Sequence, residues 1–182
     1  MDNLAVKMQG ITKIFNQKKA NDNVDFSLKK GSIHGLLGEN GAGKTTLMNV
    51  LYGLYRQEEG GIYINGKKEE ISSPVKAMSL GIGMVHQHFM LARPLTVVEN
   101  LMLGRKSSRG FLLDTKKVAS EISELSDKYK MNVDPYAKVW QLSVGEQQRV
   151  EILSAIYQGA QILILDEPTA VLTPSEAETL FD

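Results

Sequence analysis

The run Gly38-Glu39-Asn40-Gly41-Ala42-Gly43-Lys44-Thr45 has the residue types and spacing to hold a polyphosphate. Glycines let the backbone curl until successive N–H groups face one anion, and a helix starting directly afterwards adds its positive end. In that pattern Lys44 reaches the β- and γ-phosphates, and the Thr45 hydroxyl ligates Mg²⁺. A plain glycine-rich turn is the competing reading. Against it, the loop is predicted to follow an apolar strand at 32–37 and to open a helix over 45–54. A second chemical element is the acidic pair Asp166-Glu167, which follows the apolar run Ile162-Leu163-Ile164-Leu165. In open parallel sheets ligands collect at the carboxyl ends of strands, and an acidic pair there calls for a cation. Asp166 would hold Mg²⁺ through water, while Glu167 would orient or deprotonate the water that attacks the γ-phosphate. This reading expects the loop and the acidic pair to converge on one triphosphate.

A third element is Ser143 followed three residues later by Glu146, a capping box that starts a helix through about residue 157. Read locally it is a helix start and nothing more.

These residues must be positioned by a scaffold, and the remaining pattern predicts one. Segments 4–15 and 24–28 read as strands separated by a polar loop at 16–23. Ile62-Tyr63-Ile64, then Asn65-Gly66, then residues 67–71 read as a β-hairpin, because Asn and Gly tolerate positive φ. Residues 83–86 form another short strand. Segments 95–103 and 115–130 read as helices, the second with Val118, Ile122, Leu125 and Tyr129 on one inward face, and 104–110 as a loop between them. The run 162–165 is continuous rather than alternating, as expected for a central parallel strand covered on both faces. The whole is one α/β domain: a core from 1–87 and 143–182 with antiparallel β pieces, and a helical sub-domain at 88–142.

Composition narrows the function classes. Of 182 residues, 21 are basic and 21 acidic, and hydrophobic residues make up 42%, so bulk charge recruits no partner and a polybasic nucleic-acid arm is excluded. The absence of cysteine removes a disulfide scaffold, a thiolate zinc site and a cysteine nucleophile. No membrane-spanning run and no secretory signal is predicted. His86 and His88 flank Gln87 without a carboxylate cluster, which favours packing or solvent contact over a metal site. The eight methionines read as core filler.

Taken together, the loop at 38–45, Gln87, the Leu142-Ser143-Val144-Gly145-Glu146-Gln147 segment and the strand ending in Asp166-Glu167-Pro168 resemble the nucleotide-binding domain of ATP-binding-cassette proteins. The resemblance covers the whole chain. Residues 84–104, 150–153 and 167–174 look most like importers of nucleosides and simple sugars, whose ATPase subunits usually fuse two cassettes, so the match is to the first. It implies a P-loop NTPase core with a parallel central sheet, an N-terminal antiparallel β sub-domain and an inserted helical sub-domain. It also implies ATP and Mg²⁺ as cofactors. By the resemblance, Phe15 stacks on adenine, although its place as a strand-edge core residue competes with that role. Gly38, Glu39, Asn40, Gly41, Ala42, Gly43, Lys44, Thr45 and Thr46 surround the phosphates. Thr45, Gln87 and Asp166 serve the metal, and Glu167 with Gln87 serves the attacking water. Ser143, Gly145 and Glu146 belong to the signature that completes the site of an opposite cassette. The implied partners are a second cassette and a transmembrane permease at the cytoplasmic face of the cell membrane, with contact to the membrane only through that permease. Residues after Gln87, through about 113, would face the permease.

Two departures qualify the transfer. The loop after Glu167 ends in Thr173 where the family commonly has Asp, and Thr173 itself reads as a helix cap. All three histidines, His34, His86 and His88, precede Glu167, whereas the family's switch histidine comes a strand later. A C-terminally truncated cassette with little or no ATP turnover is therefore expected. The alternative, a soluble cassette ATPase acting on ribosomes or nucleic acid, is disfavoured by zero net charge and by the lack of a long insertion between Gly43 and Ile162.

Overall fold

The structure, a computed structural model, describes residues 3–86, 89–103 and 114–167. They fall into two compact units, divided between Gly83 and Met84.

In the first unit β1 (Leu4–Phe15) and β2 (Lys18–Lys29) form a long antiparallel hairpin, turned at Asn16 and Gln17, both at positive φ. The sheet order is β2-β1-β3-β4, with β3 spanning Glu59–Ile64 and β4 Lys67–Glu69. Along β1, Val6 and Met8 face inward, then Ile11 does, although it lies three residues on. The phase change falls at a register shift between Met8 and Ile11, where Gly10 sits at φ 62°. An extra residue in one strand flips the alternation, which is what a bulge does. Asn65 (φ 51°) and Gly66 (φ 82°) make the expected tight turn between β3 and β4. Helix α1 (Lys44–Leu51) buries Leu47, Val50 and Leu51. Helix α2 (Pro74–Ser79) starts at Ser73, whose side chain accepts the Lys76 N–H, with proline in its first turn.

Three expectations about the strands of this unit are corrected here. Residues 18–23 belong to β2 rather than to a loop. Their polarity misleads because the strand is largely solvent-facing, and pairing with β1 decides its conformation. Strand β4 ends at Glu69, short of the predicted 71. Residues 32–37 form no strand: neither sheet among the described residues pairs with them, and Ile33 and Leu37 are 75% and 93% exposed. Apolar composition makes a strand only when a neighbour accepts its hydrogen bonds.

In the second unit α3 (Val97–Met102), α4 (Thr115–Lys128) and α5 (Val144–Tyr157) enclose an apolar cluster that includes Val97, Leu101, Ile122, Val150 and Leu153. Burying each of the larger side chains contributes roughly 1.5–3 kcal/mol. Val118, Ile122 and Leu125 of α4 pack on the cluster as predicted, but Tyr129 is 44% exposed. The helix ends at Lys128, so its face no longer continues to Tyr129, and Lys128 Nζ lies over that ring instead. β5 (Ile82–Val85) and β6 (Ile162–Leu165) are hydrogen-bonded neighbours. Ile162 and Ile164 are buried while Leu163 is 37% exposed, so one face of β6 is covered rather than the expected two. Among the described residues no helix is long and apolar enough to cross a membrane.

Candidate functional site

The phosphate loop is built by backbone conformations that its glycines permit. Gly41 and Gly43 stand at φ 84° and 86°, in the left-handed region. The Ala42 N–H donates to the Glu39 carbonyl at 3.1 Å and closes the turn. Gly43 is the N-cap of α1, offers no side-chain cap, and is followed by no acidic residue in the first turn. A helix start left uncapped by its own side chains suits an external anion. Lys44 Nζ donates to the carbonyls of Gly38 (2.8 Å) and Glu39 (3.0 Å), so its ammonium is drawn over the loop. Glu39, Asn40 and Thr45 are exposed, and Thr46 is half-buried. Paired backbone acceptors hold a flexible cation where phosphate oxygens would replace them. The donor set therefore fits a nucleotide polyphosphate, and Thr45 supplies a hard hydroxyl oxygen suited to Mg²⁺.

Phe15, the last residue of β1, is 40% exposed. Its ring meets Tyr55 edge-on with centroids 5.1 Å apart, and Lys13 Nζ lies 5.1 Å over it. Lys13 is itself tied to Glu58 Oε1 and to the Arg56 carbonyl, each at 2.7 Å. With 40% of its surface open beside these contacts, the ring still has area to offer a purine. The family resemblance pointed to Phe15 and not to Tyr55 or Lys13, whose meeting with its ring depends on the fold.

In the second unit the signature segment is positioned by chain pairing. The Val97 N–H donates to the Ala137 carbonyl and the Val139 N–H to the Leu95 carbonyl, each at 3.0 Å. A short 3-10 turn at Val139–Gln141 then leads into α5. The Ser143 hydroxyl accepts the Glu146 N–H at 3.3 Å, and the Glu146 carboxylate accepts the Ser143 N–H at 2.7 Å, which is the capping box predicted. Ser143 is exposed and Gly145 is buried. Because Ser143 Oγ acts there as acceptor, its own proton can be offered to an oxygen ligand. Asp166 follows β6 directly, and its N–H donates to the Val85 carbonyl at 3.1 Å. Glu167 is exposed at φ 51°, a left-handed conformation uncommon for glutamate. Gln87 and Thr173 lie outside the described residues.

Two polar side chains in this unit escaped sequence reasoning. Glu151 of α5 is buried and accepts the Met90 N–H at 2.5 Å, and burial raises its carboxyl above the ordinary value despite that hydrogen bond. Asn100 of α3 accepts from the Ala92 N–H (2.7 Å) and donates to the carbonyls of Ala92 and Thr96 (3.2 and 2.9 Å). Both hold the segment that follows Gln87. A polar residue on an otherwise apolar helix stripe was the available signal. Among the described residues no cluster of three or more His, Cys, Asp or Glu could hold a metal without help from a ligand.

A glycine loop whose lysine is drawn over its own turn, followed by a helix with no side-chain cap, defines a nucleotide-binding protein of the P-loop class. The chain belongs to the ABC transporter family, whose sequence profile matches residues 21–170. It is 55% identical over 175 residues to the nucleoside import ATP-binding protein NupA of Lactococcus lactis subsp. cremoris, an alignment that covers 96% of this chain and 35% of that protein. It is 54% identical to the guanosine import ATP-binding protein NupO of Bacillus subtilis, covering 96% and 34% respectively. The chain thus spans about a third of the length of these relatives. Among solved structures it resembles the ADP conformation of MJ1267, an ATP-binding cassette of an ABC transporter, with a TM-score of 0.85 and 27% identity over 98% of this chain and 74% of that one. It also resembles the dimeric cassette MJ0796 in a post-hydrolysis state with ADP and phosphate, with a TM-score of 0.72 and 28% identity over 96% and 79%. The α/β cassette fold is therefore as the sequence predicted.

Proposed function

We propose that this chain is the ATP-binding and hydrolysing cassette of an importer, with a nucleoside or a simple sugar as the solute. The observation that supports the solute class is the 55% identity with a nucleoside import protein across 96% of the chain. The observation that supports nucleotide binding is the uncapped start of α1 beside the Lys44 ammonium.

ATP brings the polyphosphate, and Mg²⁺ screens its charge. Around them the chain supplies position and electrostatics, which is most of what phosphoryl transfer requires. Lys44 and the loop amides of 38–45, with Thr46, neutralise the phosphates. Thr45, Gln87 and Asp166 serve the metal, Phe15 the adenine, and Glu167 with Gln87 the water. Ser143, Gly145 and Glu146 complete the site of a second cassette, so one ATP is held by two cassettes. Residues 88–142 form the helical sub-domain that addresses a membrane permease, and the cassette works at the cytoplasmic face through that contact, without nucleic acid. Residues 1–182 alone turn over ATP little or not at all, since no histidine follows Glu167 within them.

Two substitutions test this reading. Lys44→Ala is expected to weaken MgATP binding in titration calorimetry by at least about a hundredfold, as loss of a charge-assisted contact in a preorganised site does. Unchanged affinity would overturn it. Glu167→Gln is expected to keep nucleotide binding and to abolish turnover in the cassette assembled with its partners. Turnover at the original rate would remove Glu167 from its role. Co-purification with a multi-span membrane protein, rather than with ribosomes or DNA, tests the importer assignment.

A further inference from the structure

We infer that Asn21, a residue of β2 outside the loop, is a positioning residue for the phosphate site. Its side-chain Nδ2 donates to the Gly43 carbonyl at 3.1 Å. That carbonyl also accepts the Leu47 N–H at 2.9 Å, the first hydrogen bond of α1. Both lone pairs of the oxygen at the loop–helix junction are thereby directed, one along the helix and one toward β2. The strand also limits what can stand at 43. A Cβ there would run into the Ala20 carbonyl and lie 2.7 Å from Asn21 Nδ2, so glycine is required by its neighbours as well as by its φ of 86°.

The energetics of Asn21 point to function rather than to stability. The residue is only 5% exposed, and its Oδ1 is buried without a hydrogen-bond partner among the described residues. One hydrogen bond is made while one acceptor is stranded. A buried polar atom left unsatisfied costs at least as much as an ordinary intramolecular hydrogen bond returns. An apolar side chain of the same size would fill this position at no such cost. What the amide adds is directional: it fixes the plane of the peptide between Gly43 and Lys44, and that plane sets where the Lys44 N–H and the start of α1 point. Asn21 is therefore kept for the geometry of the anion cradle.

This inference rests on the reading that residues 38–45 hold the nucleotide, and the experiment separates the two. Asn21→Leu, Asn21→Asp and Lys44→Ala are made in the full chain. For each, thermal unfolding, MgATP affinity well below the unfolding temperature, and the ³¹P chemical shift of the bound β-phosphate are measured. Asn21→Leu is expected to unfold at or above the original temperature, because a stranded acceptor is removed. It is expected to bind MgATP about five- to tenfold more weakly, with the β-phosphate resonance displaced. Asn21→Asp is nearly the same shape but sets a carboxylate oxygen against the Gly43 carbonyl, and is expected to lose more affinity. If both Asn21 variants bind within twofold of the parent with an unmoved resonance, whatever their unfolding temperatures, Asn21 is packing only and the inference fails. If Lys44→Ala also binds as before, the nucleotide reading of the loop has failed instead.

Discussion

Helices α1 and α5 both begin next to residues assigned to nucleotide, yet their first turns are treated in opposite ways. At α5 the chain satisfies its own start: Ser143 and Glu146 exchange two hydrogen bonds, and Glu146 puts a negative charge in the first turn. At α1 the cap is Gly43, with no side-chain acceptor and no acid in the first turn. The orphan N–H groups and positive end of an α-helix must be met by something. At α5 the protein meets them itself. At α1 no side chain does so, and the turn is held open by glycine conformation and by β2 behind it; on the proposed reading a nucleotide takes that place. A self-capped start is stable without ligand, whereas an uncapped start converts its unmet polarity into affinity.

The sharpest way to break this contrast is at Gly43. Gly43→Ala forces a side chain into a left-handed backbone and against the Ala20 carbonyl, so we expect a loss of about 2–4 kcal/mol in urea-unfolding stability together with loss of MgATP binding. A variant that folds and binds like the parent would show that the loop geometry does not prepare the anion site. At the other helix Ser143→Ala removes one cap acceptor and is expected to cost about 1 kcal/mol of stability. Nucleotide affinity of the isolated chain should be unchanged, because that cap serves α5 itself. A drop in affinity as large as that of Lys44→Ala would contradict the division of labour.

The smallest effect concerns Glu151, further along α5, and appears only as a pH dependence. Burial raises its carboxyl above the ordinary 4.5, so the folded chain binds this proton more tightly than the unfolded chain. Its contribution to stability is then full below that ordinary value and declines as pH rises through the raised one. Glu151→Gln keeps an acceptor for the Met90 N–H without the charge, so its urea midpoint should fall less as pH rises above about 4.5. Glu99 and Glu58 act with the opposite sign. Hydrogen bonds from the Thr96 backbone and side chain lower the first, and the Lys13 side chain lowers the second, so their contributions are lost on acidification. Parallel pH profiles for parent and Glu151→Gln would remove Glu151 as the source of the decline.

The elements legible in the sequence share one property: the interactions that specify them are made within a few residues. The capping box at Ser143 and Glu146, the Asn65-Gly66 turn and the inward face of α4 through Leu125 are all of this kind. They were read correctly because backbone sterics and i-to-i+3 or i+4 neighbours decide them. The errors were equally systematic. Residues 18–23 read as a loop because their composition is polar, and pairing with β1 overrode it. Residues 32–37 read as a strand because their composition is apolar, yet no described strand pairs with them.

What the sequence determined by itself was the family, where two helices start, and the residue types from which the proposed phosphate and Mg²⁺ roles are drawn. Only the tertiary structure could decide which polar side chains are buried and what they support. Asn21 reaches Gly43 across 22 positions and Glu151 reaches Met90 across 61. No local rule couples residues so far apart. A buried hydrogen bond exists only once the chain has been folded around it, because burial makes the polar group need a partner and folding alone supplies that partner.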